Sequence, residues 1–221
     1  MMWKKRESVV AVACLVVGSA GQLAQYLVSP TSEAASAASN VAKAAAHPSA
    51  MQWSAWLDLT VLFFLPALVV VSYLAGARTT RLGWVASVLA IATTVPGIAY
   101  LFAPDVLYVG SIHGDVTARV ITAYNESGVV TASTVVFLFG HVFGLFLLGV
   151  ALWRAGSVPR WAAVCLAVSP FVEIAGGATD VPPLSAAGYL LLMTAFGGWA
   201  AAITQAAGLM PLSSTAALVR S

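Results

Sequence analysis

The sequence predicts an all-α protein: a polytopic membrane protein folded as a six-transmembrane-helix bundle, a single domain over residues 1–221 with both termini cytoplasmic. Three observations lead there. Of the 221 residues, 60% are hydrophobic and 8% charged, and the mean hydropathy is +0.92. Soluble domains are typically about 45–50% apolar and about 25% charged. Six segments each supply the roughly 20 mainly apolar residues that a helix needs to cross a bilayer. The basic residues are one-sided: Lys4, Lys5, Arg6, Arg78, Arg81, Arg154, Arg160 and Arg220 flank one side of those segments, Lys43 and Arg119 the other. The positive-inside rule makes the richer side cytoplasmic, which places the chain in the inner membrane. This composition excludes a soluble enzyme and a secreted disulfide scaffold. Ten Lys and Arg scattered over helix ends make no nucleic-acid face.

Each element has its own warrant. The first span, 8–29, follows Lys4-Lys5-Arg6, and its apolar run to Val28 is longer than a signal-peptide core, so it reads as an uncleaved helix. An alanine-rich run then extends from Thr31-Ser32-Glu33 to Ala46. It fits either a short helix across the outer mouth, capped by Thr31 or Ser32, or an alanine-serine linker. Pro48 disfavours helical geometry at His47 in both cases. The second span, 55–77, and the third, 82–104, are joined by a short turn at Gly76–Arg81. A long outer loop, Asp105–Gly128, carries His113, Asp115, Arg119 and Glu126 and is expected to be partly ordered. The fourth span, 130–153, turns through Ala155–Pro159 into the fifth, 158–178, and 183–208 is the sixth. Trp3, Trp84, Trp153 and Trp161 fall at the inner interface and Trp53 and Trp56 at the outer one, as an aromatic belt requires. Cys14 and Cys165 lie inside apolar runs, which speaks against a disulfide.

Ionisable side chains in a bilayer are costly, so those that remain mark function by default. Glu173 falls in the outer half of the fifth span, Asp58 in the first turn of the second, and His141 near the middle of the fourth. Gln22, Gln25 and Tyr26 in the first span, Tyr100 in the third and Tyr189 in the sixth lie at similar depth, with Thr179 and Asp180 capping the fifth. Pro66, Pro96 and Pro170 sit near mid-membrane in three helices, where bends could splay the outer halves into a shared cavity. The bland readings are a structural Glu173–His141 lock, a hydrated cap at Asp58, and helix packing for the GxxxG spacing of Gly140 and Gly144.

The sequence holds no HExxH, GxSxG, Walker or GxGxxG pattern. Zinc needs three or more clustered ligands, and His141 with Glu173 falls short, so neither a metal nor a cofactor is expected. What remains is an acid among aromatic and apolar groups. A carboxyl in a dry enclosure keeps its proton to higher pH than one in water. It can then protonate an epoxide or olefin, and aromatic faces can stabilise the cation that follows. Glu173 and Asp58 are the candidate acids. Gln22, Gln25, Tyr26, Tyr100, His141, Phe171, Asp180 and Tyr189 are the candidate substrate-binding residues, and the partners are the bilayer and a lipophilic prenylated small molecule. Nothing in the pattern fixes an oligomeric state.

The stretches Gly140-His141-Val142-Phe143-Gly144, Leu147-Leu148-Gly149-Val150-Ala151-Leu152-Trp153-Arg154 and Val158-Pro159-Arg160-Trp161-Ala162, with His47-Pro48 and Gly83, carry a resemblance. The chain resembles small six-helix actinobacterial membrane proteins. In size and span number it is similar to bacterial membrane-bound terpene cyclases of meroterpenoid pathways. That resemblance implies cyclisation of a prenyl chain on an indole-type or related scaffold, an isomerase-type reaction. It transfers no catalytic residue; the site above comes from depth and charge. The competing class is a carrier, immunity or accessory protein in which Glu173 holds a proton or cation. The two halves of the chain show no internal similarity of the kind inverted-repeat transporters have.

Overall fold

A computed structural model of the chain describes residues 5–32, 35–76, 79–98, 110 and 115–208, with the side chains at 80, 93–98 and 115 excepted. The described residues are helical, in the order α1 (Lys5–Val28), α2 (Ala37–Ala46), α3 (Pro48–Asp58), α4 (Val61–Gly76), α5 (Thr80–Ile98), α6 (Asp115–Asn125), α7 (Gly128–Ala155), α8 (Arg160–Thr179) and α9 (Pro182–Ala206). Five stretches are long and apolar enough to cross a membrane: α1, Pro48–Gly76 (α3 and α4 together), α7, α8 and α9. α5 is apolar over Arg81–Ala92 and stays helical to Ile98; positions 99–104 of the expected third span lie outside the described residues.

Six helices close into a ring. α1 packs on α4, α4 on α5, α5 on α7, α7 on α8, α8 on α9, and α9 returns to α1. Neighbours run antiparallel, as paired contacts show: Gly18 meets Phe64 while Gly21 meets Thr60, and Gly176 meets Ser185 while Gly188 meets Glu173. The hydroxyl of Ser157, in the turn after α7, donates to the Leu74 carbonyl of α4 at 3.1 Å. The starts of α1, α5 and α8 therefore share one end of the bundle with the finishes of α4, α7 and α9.

The core fills the half nearer that end. Leu15, Leu68, Val71, Leu148, Leu152, Leu166, Phe196 and Trp199 are buried there, with the Phe64 and Phe196 rings stacked at 5.5 Å. Bilayer helices gain little from sequestering oil in oil, so close backbone approach must hold the seams. A Cβ on Gly144 would stand 2.7 Å from the Ala90 backbone nitrogen of α5, so the GxxxG spacing serves packing here.

The opposite end is capped. α3 lies on α1, α2 on α3 and α6, and α6 reaches the start of α7. Of the two readings of the alanine-rich run, the helix is found. Its cap is Ser36, whose hydroxyl accepts the Ser39 N–H at 3.3 Å, and not Thr31 or Ser32. His47 leaves helical geometry at φ −129°, ψ 59°, and Pro48 opens α3, where a missing N–H costs nothing. The second span also differs from expectation. Helix begins at Pro48 rather than 55 and breaks at Leu59–Thr60, so Asp58 ends α3 and does not start a span. The Leu57 carbonyl accepts the Thr60 N–H at 2.9 Å and the Thr60 hydroxyl at 2.6 Å, so Thr60 bonds back to it through both backbone and side chain.

Candidate functional site

Pro170 deletes the amide that would have bonded the Leu166 carbonyl, and both residues are buried. A bare carbonyl is not tolerated in an apolar interior. The Ser169 hydroxyl fills the gap, donating to Leu166 O at 3.0 Å, so α8 continues through the proline as helix. One turn later comes Glu173. α9 presses on its backbone: a Cβ on Gly188 would lie 2.6 Å from the Glu173 nitrogen and 2.7 Å from its Cα. The Ser185 hydroxyl donates to the Glu173 carbonyl at 3.4 Å. With its backbone fixed by α9, the Glu173 side chain reaches the other neighbour, α7.

There it meets His141, with Nε2 and Oε2 3.4 Å apart and side chains 16% and 21% exposed. A tight charge-assisted bond measures about 2.7–2.9 Å, so this pair is loosely closed. The Phe137 ring, one turn before His141 on α7, lies 5.4 Å from the imidazole. By helix rise, Glu173 stands about 9 Å from the far end of α8, and His141 about 20 Å from the start of α7. The contact joins α7 to α8, with the donor set by the imidazole tautomer.

The other predicted residues gather elsewhere. On α1, Gln25 donates through Nε2 to the buried Ser54 hydroxyl of α3 at 3.1 Å, and the Tyr26 hydroxyl donates to the Pro182 carbonyl at 3.2 Å. The Tyr26 and Tyr189 rings lie 5.0 Å apart. The Gln22 amide nitrogen is buried without a hydrogen-bond acceptor among the described residues. Asp180 ends α8 in left-handed geometry, φ 51°, and accepts the Ser32 hydroxyl at 3.0 Å. This second group ties α1, α3 and the α8–α9 turn together.

Not every candidate faces inward. Phe171 is 45% exposed and meets Phe146 edge-on at 5.7 Å. Phe63, Phe139 and Phe143 are likewise exposed. Asp58 is part-exposed at the break between α3 and α4, and Tyr100 lies outside the described residues. Two shallow concavities among the described residues also lie elsewhere. One of about 380 Å³ lies between α2 and α6, beside Arg119 and Glu126; one of about 410 Å³ lies between α1 and α4. Among the described residues, no three of His, Cys, Asp and Glu gather where a metal could be held.

Sequence reasoning missed Ser32, Ser54, Ser169, Ser185 and Gly188. For the last two the only signal was the presence of small residues on both helices, Ser185 and Gly188 on α9 and Gly176 and Gly177 on α8, without the four-residue spacing of a GxxxG pair. No protein-family model matches this chain, no curated protein matches it, and no solved structure matches it.

Proposed function

We propose that the chain is a six-span membrane protein with both termini cytoplasmic, α5 being the sixth span, and that it catalyses proton-initiated cyclisation of a lipophilic, prenylated substrate. The topology is supported by charge: Lys5, Arg6, Arg81, Arg154 and Arg160 share one end of the ring, against Lys43 and Arg119 on the capping helices of the other. The chemistry rests on one observation, the half-buried Glu173–His141 pair between apolar helices.

Protonated Glu173 gives its proton to the substrate's epoxide oxygen or terminal olefin. The resulting carbocation adds the next double bond, forming a carbon–carbon bond and moving the cation along the chain. The last cation loses a proton to the Glu173–His141 pair, restoring it. Substrate and product are isomers, and no redox partner enters the balance. The Phe137 ring, 5.4 Å from the imidazole, offers an aromatic face to an advancing cation.

Membranes carrying the protein, incubated with prenylated aromatic compounds and their terminal epoxides, should yield products of unchanged mass and shifted retention. Glu173→Gln should abolish them, because an amide has no acidic proton to give, while the protein still folds. Full turnover in that variant would overturn the role of Glu173. A second reading is a carrier for a lipophilic or cationic molecule, in which Glu173 holds a proton or cation. Absence of any isomer from the panel would select it.

A further inference from the structure

Four residues at the centre of the core, Leu15 on α1, Leu148 on α7, Leu166 on α8 and Phe196 on α9, have no exposed surface. Seven positions nearer the capped end, each of these helices carries a polar residue: Gln22, His141, Glu173 and Tyr189. Seven residues return a helix to within about 20° of the same face, about 10 Å further along its axis. The four polar residues therefore face the same interior as the four core residues, one level nearer the cap. They keep partial exposure, 16% at the His141 side chain and 21% at Glu173. The interior is sealed at the core level and accessible at theirs.

The direction of Gln22 is fixed by its neighbours on α1. Gly18, four residues before it, meets Phe64 of α4, and Tyr26, four residues after it, meets Pro182 and Tyr189 of α9. Positions four apart differ by about 40°, so Gln22 points between α4 and α9, into the ring. Val9, Val10, Val16 and Val17 occupy the outer side of α1 and are exposed. The other groups at this level are engaged: His141 with Glu173, Tyr189 with the Tyr26 ring, and Gln25 with Ser54. The Gln22 amide nitrogen is buried and has no acceptor among the described residues. A buried donor left without an acceptor is costly, and methionine or leucine would fill the same space without that cost. A ligand that brings the acceptor explains why an amide stands there.

We infer that Gln22 is a specificity-determining donor, its amide N–H donating to a carbonyl oxygen of the prenylated molecule that Glu173 protonates. The inference rests on the proposed cyclisation and narrows its substrate class to prenylated carbonyl compounds. A plain prenyl hydrocarbon brings no acceptor, and an indole N–H is itself a donor.

The test is a set of dissociation constants for the full chain in detergent. The probes are an aryl ketone, its deoxygenated alkylbenzene counterpart and an indole, each carrying the same saturated farnesyl chain, which has no olefin to protonate. Wild type should bind the ketone about tenfold tighter than the other two, the worth of one neutral hydrogen bond. Gln22→Met keeps the length of the side chain and removes the N–H, so it should bind all three alike. Its melting temperature without ligand should equal or exceed that of wild type, because no contact within the protein is lost. Gln25→Met should melt lower, because Ser54 loses its partner. Equal binding of ketone and alkylbenzene by wild type, indole binding as tight as ketone, a ketone preference that survives Gln22→Met, or a Gln22→Met melt as low as that of Gln25→Met would each overturn the assignment. These readings are separate from turnover. A ketone preference that depends on Gln22, with no isomer formed from the reactive panel, would uphold the site and remove the cyclisation; isomers without that preference would do the reverse.

Discussion

Gly188→Ala is the sharpest test of how the site is held. A Cβ there would sit 2.6 Å from the Glu173 nitrogen, 2.7 Å from its Cα and 2.8 Å from its Cβ. Ordinary contact begins near 3.4 Å, so α8 and α9 must part by about 0.8 Å where they are closest. The obstacle is backbone and cannot swing aside. Overpacking of this kind costs about 1–3 kcal/mol. Alanine's helix propensity returns up to about 1 kcal/mol of that. Gly197 on the same helix is the internal control, since a Cβ there meets nothing within 4 Å. Gly197→Ala should therefore be neutral or mildly stabilising. Thermal unfolding of both variants in the same detergent gives the comparison. Because the displaced backbone carries the Glu173 carboxylate, isomer formation by Gly188→Ala should fall as well, and Gly197→Ala should match wild type. Equal stability of the two variants would refute the account of the α8–α9 seam.

Three further outcomes follow from the same geometry. Ser169→Ala strips the Leu166 carbonyl of its donor and should cost about 1–3 kcal/mol, measured by the same melts. Adding Pro170→Ala supplies the missing amide and should recover most of that loss; no recovery would mean that the hydroxyl does not stand in for the amide. Asp180→Ala should cost about 1 kcal/mol because alanine resists positive φ, whereas Asp180→Gly should lie closer to wild type despite losing the Ser32 contact. Chromatography of membranes carrying Glu173→Gln and His141→Gln should show no isomer from the first and a reduced yield from the second.

The helical architecture was legible because bilayer solvation writes it in bulk composition, and four of the expected spans match observed helices to within a few residues. The second did not. At the break, the Thr60 hydroxyl bonds the Leu57 carbonyl and its side chain packs against Gly21, contacts that leave no trace in hydropathy, so an unbroken apolar run concealed it. Position along the helices placed Glu173 in the outer half of its span and His141 near the middle of its own, and the structure brings the two together. Depth says nothing of rotation about the helix axis. That is why Phe171, two residues before Glu173, points outward, and why Gln25 and Tyr26 serve the α1, α3 and α9 contacts instead. Serines were passed over because a hydroxyl is unremarkable in a sequence; Ser169 matters only through the proline beside it.

Closure of the ring between its first helix and its last sets an order of events during synthesis. Tyr26 donates to the carbonyl of Pro182, 156 residues later in the chain. At about 5–20 residues per second, a ribosome needs roughly 8–30 seconds to make that partner. Through that interval Tyr26 lacks its native acceptor. Because that bond lies exposed, two residues from the end of α1, water can serve the Tyr26 hydroxyl until α9 arrives, and closing the ring is among the last steps of assembly.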